Sequence, residues 1–116
     1  MMKFIMETGI PILLANIDKD NHLYVVEEVL LIIANWSITI HNFGNECIKR
    51  EAIEKIIGFD KNCENKEDKK YFQIGACWTL SILCLLSPIS EDTEEALDFI
   101  EENFFNHINN PPFLFI

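Results

Sequence analysis

Glycine and proline are scarce in this chain of 116 residues, with four of each. An all-β protein of this length normally needs more turn residues, so the scarcity argues against a sandwich or barrel. Hydrophobic residues make up 49% of the chain, which is too many for a disordered protein. The length suits one compact domain, which we predict over residues 1–108, followed by an apolar C-terminal tail at 109–116.

Basic residues are also few, because nine Lys and Arg stand against 19 Asp and Glu and give a net charge of −10. Seven of the acids lie between positions 89 and 116, where there is no Lys or Arg. Such a surface repels phosphate backbones and attracts basic partners. We therefore expect a protein or peptide partner of basic character and no nucleic acid. The alternative is that the acids only keep a helical protein in solution.

The sequence lacks the motifs that carry catalysis or hold cofactors. It has no Gly-rich phosphate loop, no His-Glu-x-x-His pair and no nucleophile elbow. The four cysteines form no Cys-x-x-Cys pair and have no His at zinc-ligand spacing, so we interpret them as buried thiols in a reducing compartment. We predict a protein without enzymatic activity, cofactor or metal, located in the cytoplasm, the nucleus or both.

One segment is long enough to raise the question of a membrane span. Residues 71–90 carry no charge, and twenty residues can cross a bilayer. The segment contains Gln73, Thr79 and Pro88, however, and a helix buried on all sides in a helical stack has the same composition. We expect burial, with membrane insertion as the alternative. No secretory signal is expected, because Glu7 interrupts the apolar start.

The spacing of apolar residues predicts helices along the whole chain. Thr8, Asn45 and Ser90 are the expected N-caps, and Gly58 and Pro88 the expected stops. The five predicted helices run from the Thr8 cap to about Ile17, and over His22–Ile40, Glu46–Ile57, Lys69–Ser87 and Glu91–His107. The last helix is expected to line one face with four apolar residues: Leu97, Ile100, Phe104 and Ile108.

Two apolar segments of the chain resemble each other at an offset of 47 residues. When Val29–Trp36 is set over Ala76–Leu83, the apolar positions correspond. Helical solenoid repeats have periods of this order. A solenoid unit buries its apolar faces only by stacking on its neighbours, which explains why both segments are so hydrophobic.

The second segment resembles the Ala-x-Trp-x-Leu-x-Asn-Leu pattern on the groove helix of armadillo repeats. The matching residues are Ala76, Trp78, Leu80 and Leu83, and Asn35 of the first segment matches the Asn position. The resemblance covers Gly9 to about Phe105. It implies an all-α, right-handed helical solenoid of armadillo or HEAT type with about two to three repeats.

Two flanking segments extend the resemblance. Gly9–Leu14 resembles the start of a preceding repeat's last helix, and Arg50–Ile53 resembles the segment that links repeats. Within the family, Gly75–Ser81 and Ala96–Phe104 are most similar to the C-terminal repeats of importin-α, the nuclear-import adaptor.

In importin-α a Trp and the Asn four residues later line the groove. The Trp ring stacks on the alkyl stem of Lys or Arg, and the Asn amide bonds to the peptide main chain, while acids on the rim favour basic side chains. In this chain the residue four positions before Asn35 is Leu31 and not Trp, and the residue four positions after Trp78 is Ile82 and not Asn. Each helix therefore keeps half of the pair. The resemblance implies that these four residues and Glu27 bind the partner.

The function implied by the resemblance is a protein-interaction scaffold that binds a basic or extended peptide in an importin-α-like adaptor role in nuclear transport. The alternative is a helical oligomerisation or assembly domain of a larger complex, including a homo-oligomer. Trp78 on the groove and Trp78 in the core are both compatible with the sequence.

Overall fold

The computed structural model describes residues 2–88 and 90–107, and this part of the chain is helical and contains no strand. The all-α prediction is confirmed. The predicted tail at 109–116 lies outside the described residues. In order, the helices are α1 (Met2–Phe4), a π-helical turn (Ile5–Gly9), α2 (Ile10–Ala15), α3 (Leu23–Thr39), α4 (Phe43–Lys49), α5 (Ala52–Asn62), α6 (Lys66–Leu85) and α7 (Glu91–His107).

The N-terminal helical segment begins at Met2, earlier than predicted. Thr8 therefore lies inside the π-helical turn and does not cap a helix. Pro11 explains the wider turn. Its nitrogen has no hydrogen to donate, and its ring would clash with a carbonyl one turn earlier. The main-chain N–H of Ile10 bonds instead to the carbonyl of Ile5, five residues back. The chain therefore stays helical through a proline that α-helical geometry would reject.

Side-chain caps fix the starts of the three long helices. The Nδ1 atom of His22 accepts a hydrogen bond of 3.1 Å from Tyr24 N at α3. At α6, Asn65 Oδ1 accepts bonds of 3.0 Å from the two main-chain N–H groups of Glu67 and Asp68. At α7 the predicted cap is confirmed, because Ser90 Oγ accepts a hydrogen bond of 3.4 Å from the main-chain N–H of Thr93. These bonds satisfy amide groups that a helix start leaves unpaired.

The predicted helix Glu46–Ile57 is wrong as one element, because the structure divides it into α4 and α5. The break lies at Glu51, whose φ of 69° is left-handed. Gly58 does not end the helix, because α5 continues through it to Asn62. The segment between the predicted helices that end at Ile57 and begin at Lys69 is therefore reduced to three residues, 63–65, between α5 and α6.

The core forms where α6 packs against α3 on one side and α7 on another, with α5 contacting both α6 and α7. The largest side chains buried completely come from each of the helices α2 to α7 and include Phe43, Ile53, Phe72 and Leu80. None of the helices in the described ranges combines the length and apolar character that a bilayer crossing needs.

Candidate functional site

Helices α3 and α6 lie side by side and run in the same direction. Midway along them, the Thr79 hydroxyl donates a buried hydrogen bond of 3.1 Å to the main-chain carbonyl of Leu30. Nearer their C-terminal ends, a Cβ atom placed on Gly44 of α4 would lie 3.4 Å from both Leu83 Cδ2 and Ser37 Oγ. At both places, a residue of α6 therefore lies near a residue of α3 that comes earlier in the sequence by a similar number of positions. This is the arrangement expected of two parallel helices.

Eight large apolar side chains are exposed on α3 and α6, and six of them form two matching rows; we call the surface made by these six the two-helix face. On each helix they lie at positions i, i+7 and i+14, and each residue on α3 has a counterpart 47 positions later on α6. The three pairs are Tyr24 with Tyr71 (66% and 50% exposed), Leu31 with Trp78 (49% and 51%), and Ile38 with Leu85 (60% and 83%).

The spacing of these pairs follows from helix geometry. Seven residues of an α-helix rise about 10.5 Å, so the pairs form three apolar rungs at about that separation. Between the rungs, α3 exposes two polar side chains, Glu28 and Asn35. Large apolar side chains grouped on one exposed surface are typical of a site that binds another macromolecule.

Acidic groups and tyrosine rings surround one end of the two-helix face. A cavity of about 570 Å³ opens between the N-terminal ends of α3 and α6, and its lining includes Tyr24, Glu27, Asp68 and Tyr71. Burial raises the pKa of Glu27 above its ordinary value, and the charges of Asp68 and Glu28 raise it further. The cavity therefore holds negative charge at close quarters, which a cation would stabilise.

Four of the five residues predicted to bind a partner lie at or beside the two-helix face. Leu31, Asn35 and Trp78 are exposed on it, and Glu27 is half-buried at its acidic end. Ile82 differs, because only 7% of it is exposed, so it supports the helix from inside and offers no surface. The place of the Asn missing from α6 is thus filled by a core residue.

Four members of the face were not predicted: Tyr24, Ile38, Tyr71 and Leu85. The signal for them was in the sequence, because the offset of 47 residues that aligns Leu31 with Trp78 also aligns these two pairs. The matched segments Val29–Trp36 and Ala76–Leu83 contain only the middle pair, so the two outer pairs lie beyond their ends.

The cysteines offer no nucleophile near this surface. Burial raises the pKa of Cys47 to about 12 and that of Cys77 to about 11. Burial also raises the pKa of Cys63 and Cys84, so the thiols are protonated at neutral pH and react slowly. Among residues 2–88 and 90–107, no three His, Cys, Asp or Glu side chains are grouped so as to hold a metal ion.

Comparison with known proteins identifies no relative. No family model matches the chain, and neither a curated protein nor a solved structure shows a significant match.

Proposed function

We propose that this chain is a non-enzymatic protein-interaction scaffold of armadillo type, and that the two-helix face binds a segment of a partner protein. The observation that carries the proposal is the row of six exposed apolar side chains on two adjacent, parallel helices. Exposing such side chains to water is unfavourable, and covering them with a partner would return about 25 cal/mol for each Å² of apolar surface.

The course of the chain supports the armadillo interpretation. Helices α4, α5 and α6 would form one repeat, and α2 and α3 would be the end of the repeat before it. Consecutive repeats would then place their last helices, α3 and α6, in parallel contact. The left-handed break at Glu51 lies between α4 and α5, inside this repeat, so it does not support the expected likeness of Arg50–Ile53 to a link between repeats.

An importin-α-like role in nuclear transport is the more specific form of the proposal, and it implies a location in the cytoplasm and nucleus. Exposed Trp78 and exposed Asn35 support it, since each offers a contact to a bound peptide. Asn35 lies on α3 between two rungs and Trp78 lies on α6 in the middle rung, so they are not the Trp and Asn four residues apart on one helix that line the importin-α groove. We therefore favour a partner that contacts the face differently.

Photo-crosslinking in cells tests the proposal. A photoreactive phenylalanine analogue is placed at position 78, on the face, and in a matched variant at position 97, where Leu97 is similarly exposed at 47% on α7. We expect position 78 to capture a defined partner protein that position 97 does not. Purified partner should then bind the native chain and lose affinity for the Trp78→Ala variant.

Two other results would contradict the scaffold proposal. Equal, diffuse crosslinking from both positions would show that the face has no specific partner. Crosslinking of position 78 to a second copy of the chain would favour the oligomerisation domain, which the exposed apolar rows also suit. Light scattering of the purified chain would then show a dimer or larger assembly that Trp78→Ala disrupts.

A further inference from the structure

The length of the two-helix face restricts what can cover it. Fourteen residues separate Tyr24 from Ile38, which corresponds to about 21 Å along the axis of α3. A segment that crosses the helices transversely would meet one rung and leave the other two exposed. Only a segment that lies lengthwise, along the groove between α3 and α6, covers all three.

The spacing of the rungs restricts the form of that segment. In an extended segment, side chains on one face repeat at about 6.8 Å, so they can meet the two outer rungs, about 21 Å apart, but not the middle one. In a helix, apolar residues seven positions apart repeat at about 10.5 Å and meet every rung. The groove between two parallel helices is also a shape into which a third helix packs.

The charge at one end of the face indicates what the segment carries there. Glu27 and Asp68 supply carboxyl groups to the cavity, and Tyr24 and Tyr71 supply ring faces. Carboxylates and aromatic rings together bind guanidinium and ammonium groups. A second copy of this chain, with its net charge of −10, would be repelled.

We propose that the occupant of the two-helix face is an amphipathic helix of a partner protein. It lies lengthwise, places apolar side chains at seven-residue spacing on the three rungs, and inserts an arginine or lysine near one end into the cavity between Tyr24 and Tyr71. This inference depends on the proposed function and names the class of partner.

Selection from two display libraries tests it against the full chain. Both libraries contain segments of about 18 residues with equal numbers of apolar and basic residues. One arranges them for a helix with apolar positions seven apart, and the other carries prolines at intervals that prevent a helix. Binders are then titrated against the native chain, Trp78→Ala and Glu27→Gln, with Leu97→Ala and Glu101→Gln on α7 as matched controls.

We expect binders from the helical library whose affinity falls about tenfold or more with Trp78→Ala and is unchanged with Leu97→Ala. Glu27→Gln should weaken binding only when the segment keeps its terminal basic residue, and more so at low salt. Circular dichroism of each variant checks that it is folded. We expect Trp78→Ala to fold, because Trp78 is exposed.

Other results would overturn the inference in distinguishable ways. Binders from the proline library alone, still sensitive to Trp78→Ala, would mean an extended occupant and would leave the proposed function standing. Self-association that Trp78→Ala abolishes would make the occupant a second copy. The absence from both libraries of any binder sensitive to Trp78→Ala would overturn both proposals.

Discussion

At the scale of single residues, Glu54 is a charged group in an unfavourable place. It lies on α5, its Oε2 atom is buried, and its carboxyl lies beside that of Asp92 in the first turn of α7. Burial raises its pKa above the ordinary value of 4.5, and a side-chain hydrogen bond with Asp92 and the charges of Asp92 and Glu95 raise it further. The folded protein therefore favours the protonated form of Glu54 more strongly than the unfolded chain does.

This raised pKa predicts how stability varies with pH. A carboxyl whose pKa is higher in the folded state contributes stability at pH values below its unfolded pKa. That contribution is lost as pH rises through the folded pKa. Glu54→Gln stays neutral at every pH, so it should unfold at a higher temperature than the native chain at pH 7. The difference should shrink to nearly nothing around pH 3, where Glu54 is protonated in both states.

Thermal unfolding followed by circular dichroism across this pH range measures the effect. Glu101→Gln removes a negative charge from the exposed side of α7 and controls for the general benefit of lowering a net charge of −10. If both variants gained the same amount at pH 7, the gain would come from overall charge and the account of Glu54 would be wrong.

At the scale of helices, the sequence predicted which segments are helical better than where they end. The helix that begins at Glu91 is confirmed at its start, where Ser90 caps it, and it remains helical to His107, the last described residue. The break at Glu51 could not be read, since glutamate is a helix former and nothing local signals a left-handed residue. Contacts of the finished fold, and not local preference, place that break.

The face of α7 that packs inward was also predicted imperfectly. Leu97 was expected to line one apolar face with Ile100 and Phe104 but is 47% exposed, and Ile108 lies outside the described residues. The buried side of α7 is formed instead by Thr93, Ala96, Phe99 and Asn103. Two of these are polar, so a search for apolar spacing alone selected a stripe displaced from the buried one.

Gly58 allows a direct test of helix α5. It lies inside the helix, and a Cβ atom added there would meet nothing within 4 Å. Alanine loses less conformational freedom than glycine on folding, so Gly58→Ala should raise the free energy of unfolding by about 0.5–1 kcal/mol. Denaturation in urea measures it.

Gly44 provides the matched control for that substitution. It also lies in a helix, α4, but its added Cβ would be 3.4 Å from both Leu83 Cδ2 and Ser37 Oγ. This tight contact should cancel much of the gain, so Gly44→Ala is expected to stabilise less than Gly58→Ala. A reversed order would show that Gly58 does not have the free space around it that the structure gives it.

At the scale of the whole molecule, the offset of 47 residues was the most informative feature of the sequence. It aligned two helices that turn out to lie in parallel contact, and it aligned Leu31 with Trp78, both exposed on the two-helix face. It could not distinguish the groove from the core, because apolar residues occupy both sides of α6. Burial depends on which neighbours cover each side, and that is a property of the assembled fold.

The two-helix face should therefore contribute little to stability. Leu31→Ala and Trp78→Ala remove side chains that are half exposed already, so each should lower the free energy of unfolding by about 1 kcal/mol or less. In contrast, Phe72 and Leu80 are completely buried, and replacing either with Ala should cost about 2–5 kcal/mol.

Urea denaturation of the four variants measures this separation between the face and the core. If the face variants were destabilised as strongly as the core variants, other residues of this chain would have to cover Leu31 and Trp78, and the face could not be free for a partner. A clear gap between the two pairs would mean that these side chains are kept apolar without benefit to folding. Binding is then the property that accounts for them.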